Sequence, residues 1–380
     1  MSTNRSKNNN KIKVLHILWS GGIGGAEEYI ISLIKYFDYF KFEIHLCFLS
    51  KKGVIFEEAI KKNRNVTFIG MKNGFDIIGA LRFAIYLHRR KFNIIHSHTR
   101  NFLSSAIMFF FYRTEKILTH HLSPGDIRAI KKSQLFYRIF CRIFTRIIAI
   151  SEVVRKSLII DMNVDPNRII VIHNGIDLDK YYQNLPSAND LLYIKESNKS
   201  ILGFIGRMET YKRPDLFINV AREIIEIKKE FYFIMVGDGP KMDECRKMIS
   251  NYGIDSYFIL LGFRRDIANI LKLFDGLFFT SSGEGFGIVI LEAMAMGVPV
   301  FAINDGAISE IITHKKNGIL LDTTEPELTA QEITRYFEDK SLIEKIRKQS
   351  IEDVHSKFSI ELCARKIEEL YARMLNLKGS

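Results

Sequence analysis

The sequence predicts an α/β protein with two wound parallel sheets, one in each half of the chain. Strand-like apolar runs alternate with helical segments, a polar connection interrupts them at residues 177–199, and the alternation then starts again. A length of 380 residues with 47% hydrophobic content is enough for two cores. We therefore expect domains over residues 1–185 and 186–380, with a cleft between them where a ligand binds.

The individual elements follow from the same alternation of apolar runs and helical periodicity. In the first half, strands are predicted at residues 13–18, 43–49, 66–69, 94–97, 116–119 and 147–150, with a helix at 26–37. In the second half, strands are predicted at residues 201–205, 231–236, 274–280 and 297–303, with a helix at 214–230. A short helix that begins near Gly287 joins the last two strands, which makes a strand–helix–strand unit.

The most informative motif is the glycine loop that opens this short helix. Gly283, Gly285 and Gly287 let the backbone approach a ligand closely, and the helix N-terminus directs free N–H groups toward it, as at phosphate sites. Glu284 lies in the turn, and Glu292 lies about one helical turn into the helix. Because carboxylates accept hydrogen bonds and repel phosphate, sugar hydroxyls are their expected partners. The alternative is a tight turn with solvated acids.

Two cations follow the first predicted strand of the second half. Arg207 and Lys212 can neutralise a pyrophosphate, the arginine through a bidentate fork and the lysine as a point charge. Taken alone, they would be ordinary surface charges. Their position beside the glycine loop of the same sheet favours the phosphate-binding role.

A second glycine-rich loop, residues 21–25, follows the first strand of the chain. A dinucleotide-binding fingerprint that starts at Gly22 would need glycine at position 27, where Glu27 stands, and no acid ends the second strand. We expect Gly24 and Gly25 instead to approach a ligand held by the opposite domain.

Histidines are concentrated in the first half. Two pairs end predicted strands: His96 with His98, and His120 with His121. Because no acid or cysteine accompanies them at ligand spacing, a metal site is less expected than one histidine that lines the cleft as a hydrogen-bond donor. Three others are expected to be structural: His16, His45 and His173.

Composition narrows the class of protein further. The four cysteines lack CxxC spacing, so neither a zinc site nor a disulfide framework is predicted. This cysteine pattern is consistent with a protein of a reducing compartment. Residues 1–10 are polar without a signal-peptide core, and no apolar run is long enough to span a membrane. We expect a cytoplasmic protein.

Charge is divided unevenly between the halves. Residues 1–185 contain 29 Lys and Arg against 14 Asp and Glu, a net +15, and the remainder carries −3. An anionic partner is therefore expected, a membrane surface or nucleic acid. The segment 126–146 interleaves cations with apolar residues, as a membrane-surface helix does, although an ordinary core-facing helix with a basic edge fits equally.

These motifs, in this order, resemble the retaining glycosyltransferases of family 4, which have the GT-B fold of two Rossmann-like domains facing each other across a cleft. The resemblance runs from about Lys13 to the C-terminus and implies that the last helix packs back on the N-terminal domain. It implies a nucleotide-sugar donor, with UDP as the expected nucleotide, and a saccharide or lipid-linked acceptor in bacterial surface polysaccharide, capsule or lipopolysaccharide synthesis. It implies no cofactor and no metal, because cations and a helix N-terminus stabilise the leaving diphosphate.

The resemblance also assigns roles to residues. Glu292 is similar to the glutamate that binds the ribose hydroxyls, Glu284 to the one that meets the transferred sugar, and His121 to the cleft histidine. Arg207 and Lys212 look like the diphosphate pair, and Gly24-Gly25-Ala26-Glu27 like the N-terminal glycine loop. The remaining substrate-binding candidates are Phe263, Arg264, Gly285, Phe286, Gly287 and Ile288, with residues 173–177 similar to an interdomain signature.

The chain departs from the family pattern at two positions. Ala307 replaces a glycine in Gly306-Ala307-Ile308-Ser309-Glu310, where its methyl group is expected to reshape the sugar pocket. Arg213 follows Lys212 where glycine is frequent, with no expected consequence for phosphate binding.

Two other functions remain open from the sequence. A nucleotide-sugar epimerase of the same fold would need additional acids at the sugar and no acceptor groove. A basic nucleic-acid-binding protein would need a recognition motif, and none of the common signatures is present, so we expect no nucleic-acid partner. Instead we expect peripheral binding to an anionic membrane on the inner face of the cell membrane.

Overall fold

The computed structural model describes residues 11–99, 101–111, 114–121, 139–182, 191 and 199–376. The chain forms two compact units. The first comprises Met1–Leu122, Asp126–Asn174 and Ile360–Ser380, and the second comprises Ser123–Gly125 and Gly175–Ser359. Most of the predicted membrane-surface helix 126–146 and the expected domain boundary at residues 185 and 186 lie outside the described residues.

The first unit contains a seven-stranded parallel sheet with the order β3-β2-β1-β4-β5-β6-β7. Its strands are β1 (Ile12–Ser20), β2 (Phe42–Lys51), β3 (Val66–Phe68), β4 (Ile94–Ser97), β5 (Glu115–His120), β6 (Arg146–Ala149) and β7 (Ile169–Val171). The central strands are buried on both faces, which explains their nearly continuous apolar sequence.

Helices cover both faces of this sheet, as parallel connections require. They are α1 (Gly25–Leu33), α2 (Val54–Lys62), α3 (Ile77–Arg90), α4 (Phe102–Phe111) and α5 (Glu152–Ile160), joined by the C-terminal helix α13 (Ile360–Asn376). Helix α13 contacts α1, and its Tyr371 is fully buried in the core of the first unit. The last helix of the chain therefore folds with the N-terminal sheet.

The second unit contains a six-stranded parallel sheet with the order β10-β9-β8-β11-β12-β13. Its strands are β8 (Ser200–Ile205), β9 (Phe231–Val236), β10 (Phe258–Gly262), β11 (Gly276–Phe279), β12 (Val300–Ile303) and β13 (Ile319–Leu321). Its helices are α6 (Asp179–Tyr182), α7 (Pro214–Ile227), α8 (Met242–Asn251), α9 (Ile267–Leu271), α10 (Ile288–Ala295), α11 (Pro326–Glu338) and α12 (Lys340–Lys357).

The two parallel sheets confirm the predicted fold class. Three strands were not identified from the sequence, β7, β10 and β13, and all three lie at sheet edges. Their sequences, Ile-Ile-Val, Phe-Ile-Leu-Leu-Gly and Ile-Leu-Leu, are apolar, but periodicity alone does not distinguish an apolar run of three to five residues from a buried helical segment. Among the described residues, no helix has the length and hydropathy needed to cross a membrane.

Candidate active site

The candidate site of the second unit lies at the carboxyl ends of its strands. Because the sheet is parallel, the loops that follow β10, β9, β8, β11 and β12 all leave from one edge, where ligands bind in open α/β sheets. The strand order places the loop after β8, which carries both predicted cations, directly beside the loop after β11, which carries the glycines.

The glycine loop has the predicted local geometry at the start of α10. Gly283 has φ +65°, and Gly287 has φ +89° and forms the N-cap, conformations that favour glycine. Asp305, from the loop after β12, fixes the loop because its Oδ2 accepts hydrogen bonds from Ser282 Oγ at 2.6 Å and Gly283 N at 3.0 Å. The Phe286 side chain is buried. Of Phe286, therefore, only the backbone is suited to contact a ligand.

Glu284 and Lys212 form an ion pair with 2.6 Å between Oε2 and Nζ. Each side chain is only 16% exposed. Two hydrogen bonds to backbone carbonyls hold the loops together here: Thr280 Oγ1 donates to Lys212 O at 2.6 Å, and Ser282 N donates to Tyr211 O at 2.8 Å. The sequence assigned the acid to a sugar and the lysine to a diphosphate, and the structure brings the two groups into direct contact.

The backbone of Glu284 is held by the loop after β12. Ala307 N donates to Glu284 O at 3.1 Å, and a Cβ added to Gly306 would lie 2.6 Å from that oxygen. Gly306 also has φ +65°, so both space and conformation require glycine there. Ala307, the departure from the family pattern, is buried with φ −85°, which any residue adopts.

Glu292 lies in α10, and its Oε1 accepts a hydrogen bond from Tyr181 Oη at 2.8 Å. Tyr181 belongs to the short helix α6 and is buried. Tyr181 is not among the residues predicted from the sequence, because 111 residues separate the two partners. Its position, shortly after the Asn-Gly-Ile-Asp signature, was the available signal. The hydroxyl restricts the orientation of the carboxylate.

Arg207 is the most accessible of the predicted phosphate-binding groups. Its side chain is 66% exposed and pairs with Glu209 at 2.9 Å. The loop is positioned by a close approach of two backbones, because a Cβ on Gly237 would collide with Gly206 O. Arg213 has φ +52° and ψ +53°, so this residue holds the left-handed conformation that glycine adopts without strain.

The turn that contains two of the substrate-binding candidates, Phe263 and Arg264, follows β10. The Phe263 ring is exposed. Arg264 is fixed by two hydrogen bonds to the carboxylate of Asp266, at 2.7 and 2.6 Å, and this pairing holds the Asp266 pKa below its usual value. An aromatic ring is therefore available at the surface, whereas the neighbouring guanidinium is already paired.

In the first unit, the glycine loop leads from β1 into α1. Gly24 is the extended N-cap, with φ −166°, and Gly25 is the first helical residue. A Cβ on Gly24 would meet the carboxylate of Glu27, whereas one on Gly25 would meet no atom within 4 Å. Burial is the main cause that raises the Glu27 pKa above its ordinary value.

Four histidines of the first unit form a hydrogen-bonded histidine network: His16, His96, His98 and His121. His121 Nε2 lies 3.1 Å from His98 Nδ1, and His98 Nε2 lies 3.0 Å from His16 Nδ1. Tyr371 Oη of the C-terminal helix continues the chain, at 3.4 Å from His16 Nε2 and 2.6 Å from His96 Nδ1.

Burial keeps the histidine network neutral. It lowers the pKa of His16 to about 3 and that of His121 to about 4. It lowers the pKa values of His96 and His98 well below the usual range, with neighbouring histidines adding to the effect. From the sequence, His16 was predicted to be structural and was not grouped with the other histidines, because only the register of β1 against β4 places it beside His96.

Nitrogens of His16, His96 and His98 lie within 4.8 Å of one another, a spacing that a metal ion could use. In the described part of the chain, however, both nitrogens of each of these rings already have hydrogen-bond partners. A hydrogen-bonded network therefore accounts for the arrangement.

Two family models match this chain over most of its length. The model described as glycosyl transferases group 1 matches residues 193–353, and the model described as Glycosyltransferase Family 4 matches residues 23–180. The two matches correspond to the second and first sheets, respectively.

Individual relatives are distant. The chain is 28% identical over 236 residues to UDP-Gal:alpha-D-GlcNAc-diphosphoundecaprenol alpha-1,3-galactosyltransferase of Escherichia coli, and the aligned region covers 61% of each chain. It is 27% identical over 214 residues to N-acetyl-alpha-D-glucosaminyl L-malate synthase of Bacillus anthracis, with 56% of each chain covered. The chain thus matches less than two thirds of the length of these relatives.

The fold is also similar to that of a solved structure, Anabaena HepE in complex with UDP and glucose. The TM-score is 0.83, with 22% identity, over 95% of this chain and 100% of the other. At this identity, the similarity establishes the GT-B fold.

Proposed function

Because this chain belongs to the group 1 glycosyltransferases of family 4, we propose that it transfers a sugar from a nucleoside diphosphate donor to a saccharide or lipid-linked acceptor. The observation that carries the proposal is the ion pair of Glu284 with Lys212 at one sheet edge, together with Glu292 in the helix that begins at the same glycine loop. Acids suit the hydroxyls of a sugar and a ribose, and cations suit the diphosphate between them.

The donor is proposed to be UDP-linked. Support comes from the UDP-galactose-dependent relative and from the solved structure of HepE with UDP and glucose. Glu292, oriented by Tyr181, would accept hydrogen bonds from the ribose hydroxyls, and Glu284 would contact the transferred sugar. The backbone from Gly285 to Ile288 would bind phosphate oxygens at the start of α10. The turn at Phe263 and Arg264 would contact the base.

The leaving group determines what the enzyme must stabilise. As the bond between the sugar and the diphosphate breaks, negative charge grows on the diphosphate oxygens. Arg207, Lys212 and the N-terminus of α10 would stabilise that charge more in the transition state than in the ground state. We therefore propose a metal-independent reaction. By analogy with the family, it would proceed with retention of configuration, the acceptor hydroxyl attacking on the face from which the diphosphate leaves.

The first unit would contribute the acceptor side of the reaction. Gly24 and Gly25 would allow close approach of backbone to substrate. His121 would act as a neutral hydrogen-bonding group toward the sugar, because burial keeps its pKa near 4. A neutral imidazole can orient a hydroxyl without adding a charge to the site.

The test is a direct assay of transfer. Purified protein is incubated with a panel of UDP-sugars and a bacterial lipid extract, and products are identified by mass spectrometry. We expect UDP release and an acceptor whose mass increases by one sugar residue. Conversion of one nucleotide sugar into its epimer, without an acceptor product, would instead establish the epimerase alternative.

We also propose that the acceptor is lipid-linked, in surface polysaccharide, capsule or lipopolysaccharide synthesis, and that the protein works as a peripheral protein on the cytoplasmic face of the membrane. The net charge of +15 in residues 1–185 supports this, because each well-placed cation adds about 1 kcal/mol of attraction to anionic lipid. The protein should sediment with anionic vesicles at low salt and less at high salt. Equal partition into neutral and anionic vesicles, or no binding to either kind, would contradict the proposed membrane association.

A further inference from the structure

Helix α3 of the first unit has an exposed apolar face. It consists of Ile77, Ile78, Leu81 and Ile85, whose exposed fractions range from 52% to 70%, and we call it the α3 face. Positions 77, 81 and 85 recur at i, i+4 and i+8, so they form one stripe along the helix, with Ile78 beside it. Phe75, two residues before the helix, is also exposed.

The α3 face does not contribute to the core. The same helix buries Ala80, Phe83 and Leu87, which recur at i, i+3 and i+7 on the opposite side. One stripe would be sufficient to attach the helix to its sheet. The second stripe therefore exposes contiguous apolar side chains that folding of this unit does not require, a feature that marks interaction sites.

The stretch of chain that carries the α3 face is rich in cations. Residues 72–91 contain one acid, Asp76, which accepts a hydrogen bond from Gly79 N as the N-cap of the helix. The same stretch contains five exposed cations: Lys72, Arg82, Arg89, Arg90 and Lys91. This excess of like charge disfavours pairing with a second copy of the same face, because such a contact would bring the two sets of cations together.

We propose that the α3 face is the surface by which this protein docks on an anionic membrane. The apolar side chains would enter the boundary between headgroups and acyl chains, while the surrounding Lys and Arg side chains contact lipid phosphates, as in interfacial amphipathic helices. The inference deepens the membrane association proposed above, and it requires no contribution from the segment 126–146.

The experiment compares two four-residue variants in vesicle co-sedimentation, using vesicles of phosphatidylcholine with 30% phosphatidylglycerol. The docking variant carries I77Q, I78Q, L81Q and I85Q. The matched control carries I60Q, I160Q, I227Q and L328Q, which also replace three exposed isoleucines and one exposed leucine on helices. Glutamine is a good helix former, so neither set should unfold its helices.

We expect the docking variant to lose about tenfold or more in vesicle partition, because four apolar side chains no longer leave water. The control should bind as the parent protein does. Equal binding of parent and docking variant would overturn the proposal. A third variant, K131Q with K132Q, R138Q and R142Q, distinguishes the source of binding, because loss of binding in this variant alone would assign docking to the segment 126–146 instead.

A spectroscopic measurement locates the surface independently of sedimentation. Tryptophan is introduced as L81W, with I160W as the control. Vesicles should shift the L81W emission to the blue, and brominated lipid should quench it, with little change in I160W. No shift in L81W would overturn the proposal. Transfer to a water-soluble acceptor should be unchanged in the docking variant, so loss of docking and failure of the proposed chemistry give different results.

Discussion

The ion pair between Lys212 and Glu284 predicts an unusual response to mutation. The two side chains meet at 2.6 Å and are each 16% exposed, so the acid neutralises the lysine in a partly desolvated setting. If Lys212 binds the donor diphosphate, Glu284 competes with the phosphate for the same cation. Replacing the acid by its neutral amide, Glu284→Gln, should therefore tighten binding of UDP while it reduces transfer.

The magnitude follows from the geometry of the pair. Unit charges about 4 Å apart interact with about 4 kcal/mol at an effective dielectric constant near 20, whereas fully exposed pairs contribute about 1 kcal/mol or less. Because the pair is partly buried and the phosphate only partly replaces the acid, we expect a gain of about 1 kcal/mol. UDP affinity should rise about fivefold. Turnover should fall about a hundredfold, since the sugar loses its carboxylate partner.

Isothermal titration calorimetry with UDP measures the effect, in a cycle with Lys212→Met. The lysine substitution should weaken UDP binding more in the Glu284→Gln background than in the parent protein, because there the cation is no longer neutralised. Glu209→Gln beside Arg207 is the matched control, and that exposed pair should show coupling below about 0.5 kcal/mol. Weaker UDP binding in Glu284→Gln would refute the reasoning.

Three further predictions concern the same protein. Measured by calorimetry, Glu292→Ala should weaken UDP binding by about 2–3 kcal/mol, because it removes the proposed hydrogen-bond acceptor of the ribose hydroxyls. Tyr181→Phe should weaken it by about 1 kcal/mol, because it removes only the hydroxyl that orients Glu292. Unchanged UDP affinity in Glu292→Ala would exclude the ribose role. Substituting Arg207 and Lys212 together by Ala should reduce turnover about a hundredfold or more, and the parent protein should stay active in the presence of a metal chelator. Loss of the parent protein's activity with the chelator, and its recovery when manganese is added, would contradict metal independence. The free energy of unfolding, measured with urea, should decrease as the pH is lowered from 6.5 to 4, by up to about 1.4 kcal/mol per histidine per pH unit. The reason is that histidines of the unfolded chain bind protons in this range, whereas those of the folded histidine network stay neutral. A free energy of unfolding that does not change with pH there would show that these histidines titrate alike in both states.

The sequence determined the class of fold because alternating strands and helices leave a local periodicity. It also located the glycine loop, whose turn chemistry depends on residues that are neighbours in the chain. Gly283 and Gly287 adopt the positive φ that such a loop requires. The edge strands β7, β10 and β13 were not predicted, because an apolar run of three to five residues cannot be distinguished from a buried helical segment by periodicity alone.

Only the tertiary structure decided which groups meet. Lys212 and Glu284 are 72 residues apart, and Tyr181 and Glu292 are 111 residues apart, so no local pattern connects them. The sheet order sets the first of these contacts, since it places the loops after β8 and β11 side by side at one edge. The register of β1 against β4 likewise joined His16 to the histidine network. Periodicity and turn chemistry are local properties of a chain, whereas strand order and register depend on how distant segments pack.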